Sequence, residues 1–313
     1  MEFAIAGAAA CCAGIFTNPL EVVKTRLQLQ GELKSRGVYT VYYKNAFQAF
    51  YVIAKSDGIT ALQKGLVPAL WYQLFMNGVR LGSFDFIQKS GFINSEGEIS
   101  LSKSIVAGAA SGCIGALVGS PFYMVKTQIQ AQSSSTIAVG FQHKHHGMLK
   151  AFDSVLKQHG FLALWRGASA AMSRVTCGSA AQLATFSNSK SFIEKLEIFK
   201  PDSWLCALAA SMLSGVVVVI CMTPLDVVST RLYNQGVDSK GRGLIYSGLW
   251  DCIKKITVSE GLFAFYKGST ASLLRTGPHT VLSLVFWNEL RKFYDNYGVK
   301  NIPKVPDAEV VQL

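Results

Sequence analysis

The sequence predicts an all-α membrane protein: six transmembrane helices in three pseudo-symmetric repeats of about 100 residues, with a short helix inside each repeat. Three observations carry that expectation. Half of the 313 residues are hydrophobic and only 16% are charged, against about 25% in a soluble globular domain. Four sequence phrases recur three times in the same order. Long segments near 3–30, 102–130 and 204–232 are rich in Gly, Ala and Ser, residues that let helices approach closely in lipid.

The repeats are legible phrase by phrase. PLEVVKTRLQ begins at Pro19, PFYMVKTQIQ at Pro121 and PLDVVSTRLY at Pro224, 102 and 103 residues apart. DGITALQKG (57–65), HGFLALWRG (159–167) and EGLFAFYKG (260–268) follow, their last glycines 102 and 101 apart. Between them lie YKNAF (43–47), HGMLKAF (146–152) and YSGLWDC (246–252), and an aromatic stands 19 residues after each closing glycine: Phe84, Phe186, Trp287. The repeats run over 1–95, 100–199 and 202–297, with a C-terminal tail at 298–313.

Within each repeat the pattern reads as a long helix containing the proline, a polar loop, a short amphipathic helix, and a second long helix after the Lys/Arg-Gly. Six spanning helices put both termini on one side. Small residues at four-residue steps (Ala6/Ala10/Gly14, Gly108/Gly112/Ala116, Ser211/Gly215) mark a close-packing face on each first helix. The loop QAQSSSTIAVGFQHKHHG in repeat two is long and polar and is expected to be mobile.

A net charge of +11 favours anionic partners. Nucleic acid is excluded by the spacing, because the basic residues stand singly between apolar runs. The N-terminus, MEFAIAGAAACC, has neither a basic secretory n-region nor the arginines of a transit peptide. The seven cysteines (11, 12, 113, 177, 206, 221, 252) form no C-x-x-C pair and read as small buried hydrophobes. His143, His145 and His146 read as a solvated trio, so no metal is expected. No nucleophile–base set or phosphate loop is present, so the chain does not read as an enzyme.

The tripled P-x-[DE]-x-x-[KR]-x-[KR]-x-Q with its downstream [DE]-G…[WFY]-[KR]-G resembles the signature of the mitochondrial carrier family over nearly the whole chain. The resemblance implies a six-helix barrel with short matrix helices around a central cavity in the mitochondrial inner membrane. It implies alternating access, termini facing the intermembrane space, and a monomer. Pro19, Pro121 and Pro224 would kink the first helices so that their ends converge, and neighbouring helices would satisfy the freed carbonyls.

In this family the acid of one repeat pairs with the base of the next to close a matrix gate. That register gives Glu21 with Lys126, Asp226 with Lys24, and a neutral third position of Tyr123 with Ser229. The opposite register would strand charges, which is costly when they are buried. Gln28 and Gln130 occupy the bracing position, replaced by Tyr233 in the third copy. The cytoplasmic gate motif is depleted. Asp85 is its single acid beside Ser187 and Asn288, and Gln88, Lys190 and Arg291 stand at the base positions. A weak cytoplasmic gate beside a stronger matrix gate implies a substrate-free protein that rests open to the intermembrane space.

Seven residues after each closing glycine stand Tyr72, Arg174 and Arg275, and eight further on come Arg80, Gln182 and Ser283. An arginine at membrane depth costs about 2.5–3.5 kcal/mol, and the second helices offer few acids to pair with it. Arg80, Arg174 and Arg275 are therefore expected to bind substrate, with Tyr72, Asn77, Val175 and Gln182 beside them. Arginine's planar fork suits carboxylate, sulfate or phosphate, so three of them point to a small di-anion. NGVRLGSFD and RTGPHTVLSL most resemble the oxaloacetate, sulfate and dicarboxylate carriers, working by antiport or proton symport. An uncoupling-type proton leak with fatty-acid anions and a non-transporting scaffold stay open. No cofactor is implied beyond structural cardiolipin, at helix starts near Asn45, Gly65, Gly147, Gly167, Gly248 and Gly268, since helix N-termini bind anions.

Overall fold

The computed structural model describes residues 2–34, 40–95, 98–99, 101–145, 147–196, 203–238 and 241–297. The tail at 298–313, His146 and the side chains of Ala6 and Ser187 lie outside the described residues. Nine α-helices occur among them: α1 (Glu2–Leu29), α2 (Ala46–Asp57), α3 (Leu66–Lys89), α4 (Leu101–Ala131), α5 (Met148–His159), α6 (Ala168–Lys195), α7 (Trp204–Asn234), α8 (Leu249–Ser259) and α9 (Ser269–Tyr297). The long–short–long order occurs three times, as an all-α fold of three repeats requires. A two-residue ribbon, Asn94–Ser95 with Glu98–Ile99, joins the first repeat to the second.

The six long helices run 24 to 31 residues, roughly 36–46 Å at 1.5 Å per residue, enough to cross a hydrocarbon core of about 30 Å. Two of them, over Ser102–Ala131 and Leu208–Asn234, are apolar enough to be recognised by composition alone, with mean hydropathy 1.6 and 2.1. Large side chains such as Phe16, Phe86, Ile114 and Ile220 are exposed on the outside of the bundle, the surface a lipid phase covers.

Neighbouring long helices pack in the ring order α1, α3, α4, α6, α7, α9 and back to α1. Glycine sets the closest approach. A Cβ on Gly115 would come within 2.7 Å of the Met76 carbonyl in α3, and one on Gly112 within 2.9 Å of Val175 Cγ1 in α6. Gly112 lies on the expected small-residue face. Gly115 lies on the neighbouring face, so α4 uses glycine towards both flanking helices.

Pro19, Pro121 and Pro224 each sit inside a continuous helix, and so does Pro278 of α9. Each second long helix follows a short 3₁₀ turn, Ile59–Gln63, Phe161–Trp165 or Leu262–Tyr266. A left-handed glycine closes that turn, as at Gly65 (φ 73°) and Gly167 (φ 91°), a conformation open to glycine without strain.

The repeat-two loop corrects the expectation of mobility. Residues 132–145 dock on the end of the bundle. Ile137 and Val139 are buried with Leu29 and Tyr43 of repeat one, and Tyr43 Oη donates to the Ile137 carbonyl at 3.0 Å. Polarity misled here because the loop's few apolar residues alternate inward while Gln132 and Gln142 donate to backbone carbonyls and the Ser134 amide donates to Asp57. The histidines are not a solvated trio either. His143 meets the Asn234 carbonyl at 3.0 Å and His145 meets Gln128 Oε1 at 3.0 Å, with the two rings stacked 5.4 Å apart.

Candidate functional site

The C-terminal ends of α1, α4 and α7 converge, and their polar residues meet there. Lys24 Nζ pairs with Asp226, and Lys126 Nζ lies 2.5 Å from Glu21 Oε2. These are two ion pairs between repeats, three-to-one and one-to-two, in the register expected. Gln28 donates to Asp226 Oδ2 at 2.9 Å and accepts from Thr230 at 2.7 Å. Gln130 instead accepts from Thr25 and donates to Asn18, at 3.0 and 3.2 Å, away from the Glu21–Lys126 pair.

The third position differs from the expected simple contact. Ser229 is fully buried and its Oγ has no hydrogen-bond partner among the described residues. Tyr123 lies between Tyr72 and Tyr233, with ring centroids 5.0 and 5.1 Å away. Arg174 sits over its ring at 5.0 Å and Lys126 at 5.6 Å. An aromatic stack flanked by cations therefore occupies the place where the other repeats use an ion pair. Tyr233 closes it by hydrogen-bonding Ser120 Oγ at 2.8 Å.

The arginines reach the same region from the second helices. Arg174 Nη2 donates to Tyr72 Oη at 2.8 Å, and Nη1 lies 3.7 Å from Asp226 Oδ1. Arg275 Nη1 lies 3.2 Å from Glu21 Oε1. Acid partners therefore exist, contrary to expectation, because they come from the first helices across the bundle and not from the second helices that bear the arginines. Arg80, half-buried in α3, makes no ion pair among the described residues. Asn77 donates to Gln73 of its own helix at 3.1 Å, and Gln182 is half-buried. Val175 is buried against Gly112, so its side chain fills a helix interface and is a poor candidate for contact with a solute.

At the other end of the bundle Asp85 pairs with Lys89 at 2.6 Å and Lys190 with Glu194 at 3.7 Å, each within its own helix. Arg291 stacks on Trp287 at 5.1 Å, and Gln88 is exposed. Among the glycines at helix starts, Gly65, Gly147, Gly167 and Gly248 are N-caps without a side-chain cap bond, and Gly268 precedes α9. Asn45 differs, since its side chain already caps the Gln48 amide at 2.9 Å.

Sequence reasoning missed the seams below the ion pairs. Arg26, with no exposed surface, pairs with Asp57 at 2.7 Å and donates to the carbonyls of Gln130 and Gln132 in the next repeat. Arg231 repeats this with Glu260 at 2.5 Å and the Gln28 carbonyl, and Lys267 adds a 2.6 Å bond to Glu260. In repeat two the same positions hold Gln128 and His159. Gln128 donates to the Tyr233 carbonyl at 3.1 Å, and His159 Nδ1 is buried without a hydrogen-bond partner among the described residues. The signal was present in the [DE]-G that opens the second phrase, which becomes His-Gly in repeat two. Burial alone would raise the carboxyls of Asp57 and Glu260, but bonding to Ser134 and Arg26, and to Arg231 and Lys267, holds both below the usual range.

Comparison with known proteins fits this architecture. The sequence profile described as mitochondrial carrier protein matches residues 1–94, 97–197 and 200–298. Solute carrier family 25 member 35 of Mus musculus is 53% identical over 95% of this chain and 100% of its own length. The mitochondrial oxaloacetate transport protein of Saccharomyces cerevisiae is 39% identical over 93% of this chain and 89% of its length. The mitochondrial citrate transporter E of Aspergillus niger is 37% identical over 93% and 92%. With three consecutive matches spanning the threefold bundle, and relatives aligned almost end to end, the chain belongs to the mitochondrial carrier family.

Proposed function

We propose that this carrier moves a small di-anion of the oxaloacetate, dicarboxylate or sulfate type across the mitochondrial inner membrane by alternating access. One observation carries the reading: each second helix contributes one arginine, Arg80, Arg174 and Arg275, and two of these already hold carboxylates in the fold. A site that binds Asp226 and Glu21 has the charge and fork geometry to bind a solute carboxylate or sulfate. The names of the yeast and Aspergillus relatives, transporters of oxaloacetate and of citrate, point to the same chemistry.

The same pairing gives the solute a way to act on the gate. Asp226 and Glu21 each serve one lysine of the matrix-side ion pairs and one arginine of the second helices. A di-anion that takes the guanidinium groups leaves Glu21 with Lys126 and Asp226 with Lys24 and Gln28, and the closed arrangement loses part of its stabilisation. The second state gains only what the solute binds better there. Two ion pairs join the repeats at the end read as the matrix side, whereas the three acid positions at the other end hold one acid, Asp85, beside Ser187 and Asn288. Both favour a resting carrier open to the intermembrane space, with both termini on that side. Cardiolipin phosphates would rest on the uncapped helix starts at Gly65, Gly147, Gly167, Gly248 and Gly268.

Uptake into proteoliposomes tests the reading, with labelled oxaloacetate, malonate, malate, sulfate, phosphate and oxoglutarate offered against each counter-substrate and against none. Saturable uptake of at least one di-anion is expected. Absence of saturable uptake for all of them refutes it.

A further inference from the structure

Two rungs join α1 to α9 beside the arginine floor. One is the Glu21–Arg275 ion pair. The other, four residues along each helix, is a 3.2 Å hydrogen bond between Thr17 Oγ1 and His279 Nδ1. Four residues are about 6 Å of helix, so His279 stands one turn from Arg275, farther from the closed end.

The partners fix the tautomer. Thr17 Oγ1 gives its hydrogen to the Ala13 carbonyl at 3.0 Å. A hydroxyl has one hydrogen to give, so towards His279 the oxygen accepts and Nδ1 carries the proton. Nε2 is left with a lone pair, and among the described residues it has no hydrogen-bond partner. The charged groups bearing on the ring are Arg275 of α9, Glu21 of α1 and Lys126 of α4. A rigid imidazole with one nitrogen committed and the other open, standing one turn above an anion-binding arginine, has what proton binding requires.

We propose that His279 Nε2 takes up a proton together with the anionic solute, so that this carrier couples transport to proton movement. The inference rests on the di-anion reading of the arginine floor. A proton on Nε2 is opposed by Arg275 and Lys126 and favoured by Glu21. A di-anion bound on Arg275 adds two negative charges one turn away and tips that balance towards protonation. By linkage, the proton strengthens anion binding by the same factor that the anion strengthens proton binding. The proton comes from water on the loading side and returns to water on the other when the anion leaves.

His279→Asn is the diagnostic change, because its amide NH₂ can still donate to Thr17 while the residue no longer titrates. Uptake of the transported di-anion is measured in proteoliposomes with and without an inward proton gradient, and the ratio of the two is read whatever the absolute rate. The wild type is expected to give a ratio of about fivefold or more, and the variant a ratio near one. In detergent, the rise in melting temperature caused by sulfate, whose charge is constant in this range, should be larger at about pH 6 than at about pH 8 for the wild type. For the variant it should be equal at both, a readout that holds even if the variant transports poorly. A wild-type ratio near one, or a variant that keeps the wild-type ratio or the wild-type pH dependence of sulfate stabilisation, overturns the assignment of His279. Failure of the wild type to carry or bind any di-anion overturns the di-anion reading itself and this inference with it.

Discussion

Arg174 Nη1 stands 3.7 Å from Asp226 Oδ1, a buried acid oxygen that accepts no hydrogen bond among the described residues. The same carboxylate is held on its other oxygen by Lys24 and Gln28. Arg174 of α6 and the Lys24 ion pair at the closed end of the bundle therefore share one carboxylate, and a change at Arg174 acts on that end as well.

Arg174→Ala should lower di-anion uptake by about 10- to 100-fold, the worth of one or two charge-assisted hydrogen bonds. Arg174→Lys should recover little, since an ammonium cannot reproduce the fork that spans Tyr72 and Asp226. Initial rates with reconstituted variants check this; normal uptake by either variant removes Arg174 from the solute site.

Tyr123→Asp and Ser229→Lys should each destabilise the protein when made alone. The first breaks the Tyr72–Tyr123–Tyr233 stack and the second buries a cation at a site with no acid. Together they install the missing pair and should couple favourably by about 0.5–3 kcal/mol. Melting curves of the four proteins measure the cycle, and simple additivity shows that the two positions do not face each other.

Glu260→Gln leaves Arg231, which has no exposed surface, without its counter-charge and should cost about 3–5 kcal/mol. The pH dependence follows from the lowered Glu260 carboxyl. Its contribution is complete above the ordinary glutamate range near 4.3 and fades as acid protonates it below that. Thermal melts across acidic pH should show a smaller loss in the variant than in the wild type, since Asp57 still titrates there.

Burial pushes His143 down to about 4 and lowers His145 as well. Docking of residues 132–145 thus requires neutral rings. The docked loop binds fewer protons than the free one, so its stability is complete above the ordinary histidine value near 6.5 and is lost as pH falls from there towards about 4. Amide hydrogen exchange over 132–145, corrected for intrinsic rates, should show weaker protection near pH 5 than near pH 7.5; equal protection contradicts a docked neutral pair.

The threefold design was legible because glycine and proline punctuate each repeat at fixed intervals, and 3₁₀ turns and left-handed glycines appear where those phrases stand. The pairs Glu21–Lys126 and Lys24–Asp226 were legible because charges lost jointly at Tyr123 and Ser229 leave one register without stranded ions. What escaped was side-chain reach across helices. Nothing local to SRVTCG indicates that Arg174 finds an acid on α7, and nothing in SSSTIAVGFQHKH indicates that Ile137 and Val139 turn inward. Val175 looked like a solute contact by its place beside Arg174, but adjacent helical residues point about 100° apart, and this one fills the space above Gly112.

The three seams are of unequal kind. Between the first helices, repeat one meets both neighbours through ion pairs, while repeats two and three meet through Gln128, a tyrosine stack and Ser229, with the ion pair Arg174–Asp226 as a charged link from α6. Coulomb attraction falls only inversely with distance, whereas hydrogen bonds and ring contacts vanish within an ångström or so of stretching. Once a solute has drawn Arg174 from Asp226 and the closed end parts, repeats two and three should let go of each other abruptly while each still drags on repeat one. The gap would then open off-centre, with its widest side towards Tyr123 and Ser229, and the first solute to reach the far compartment would pass along an aromatic wall.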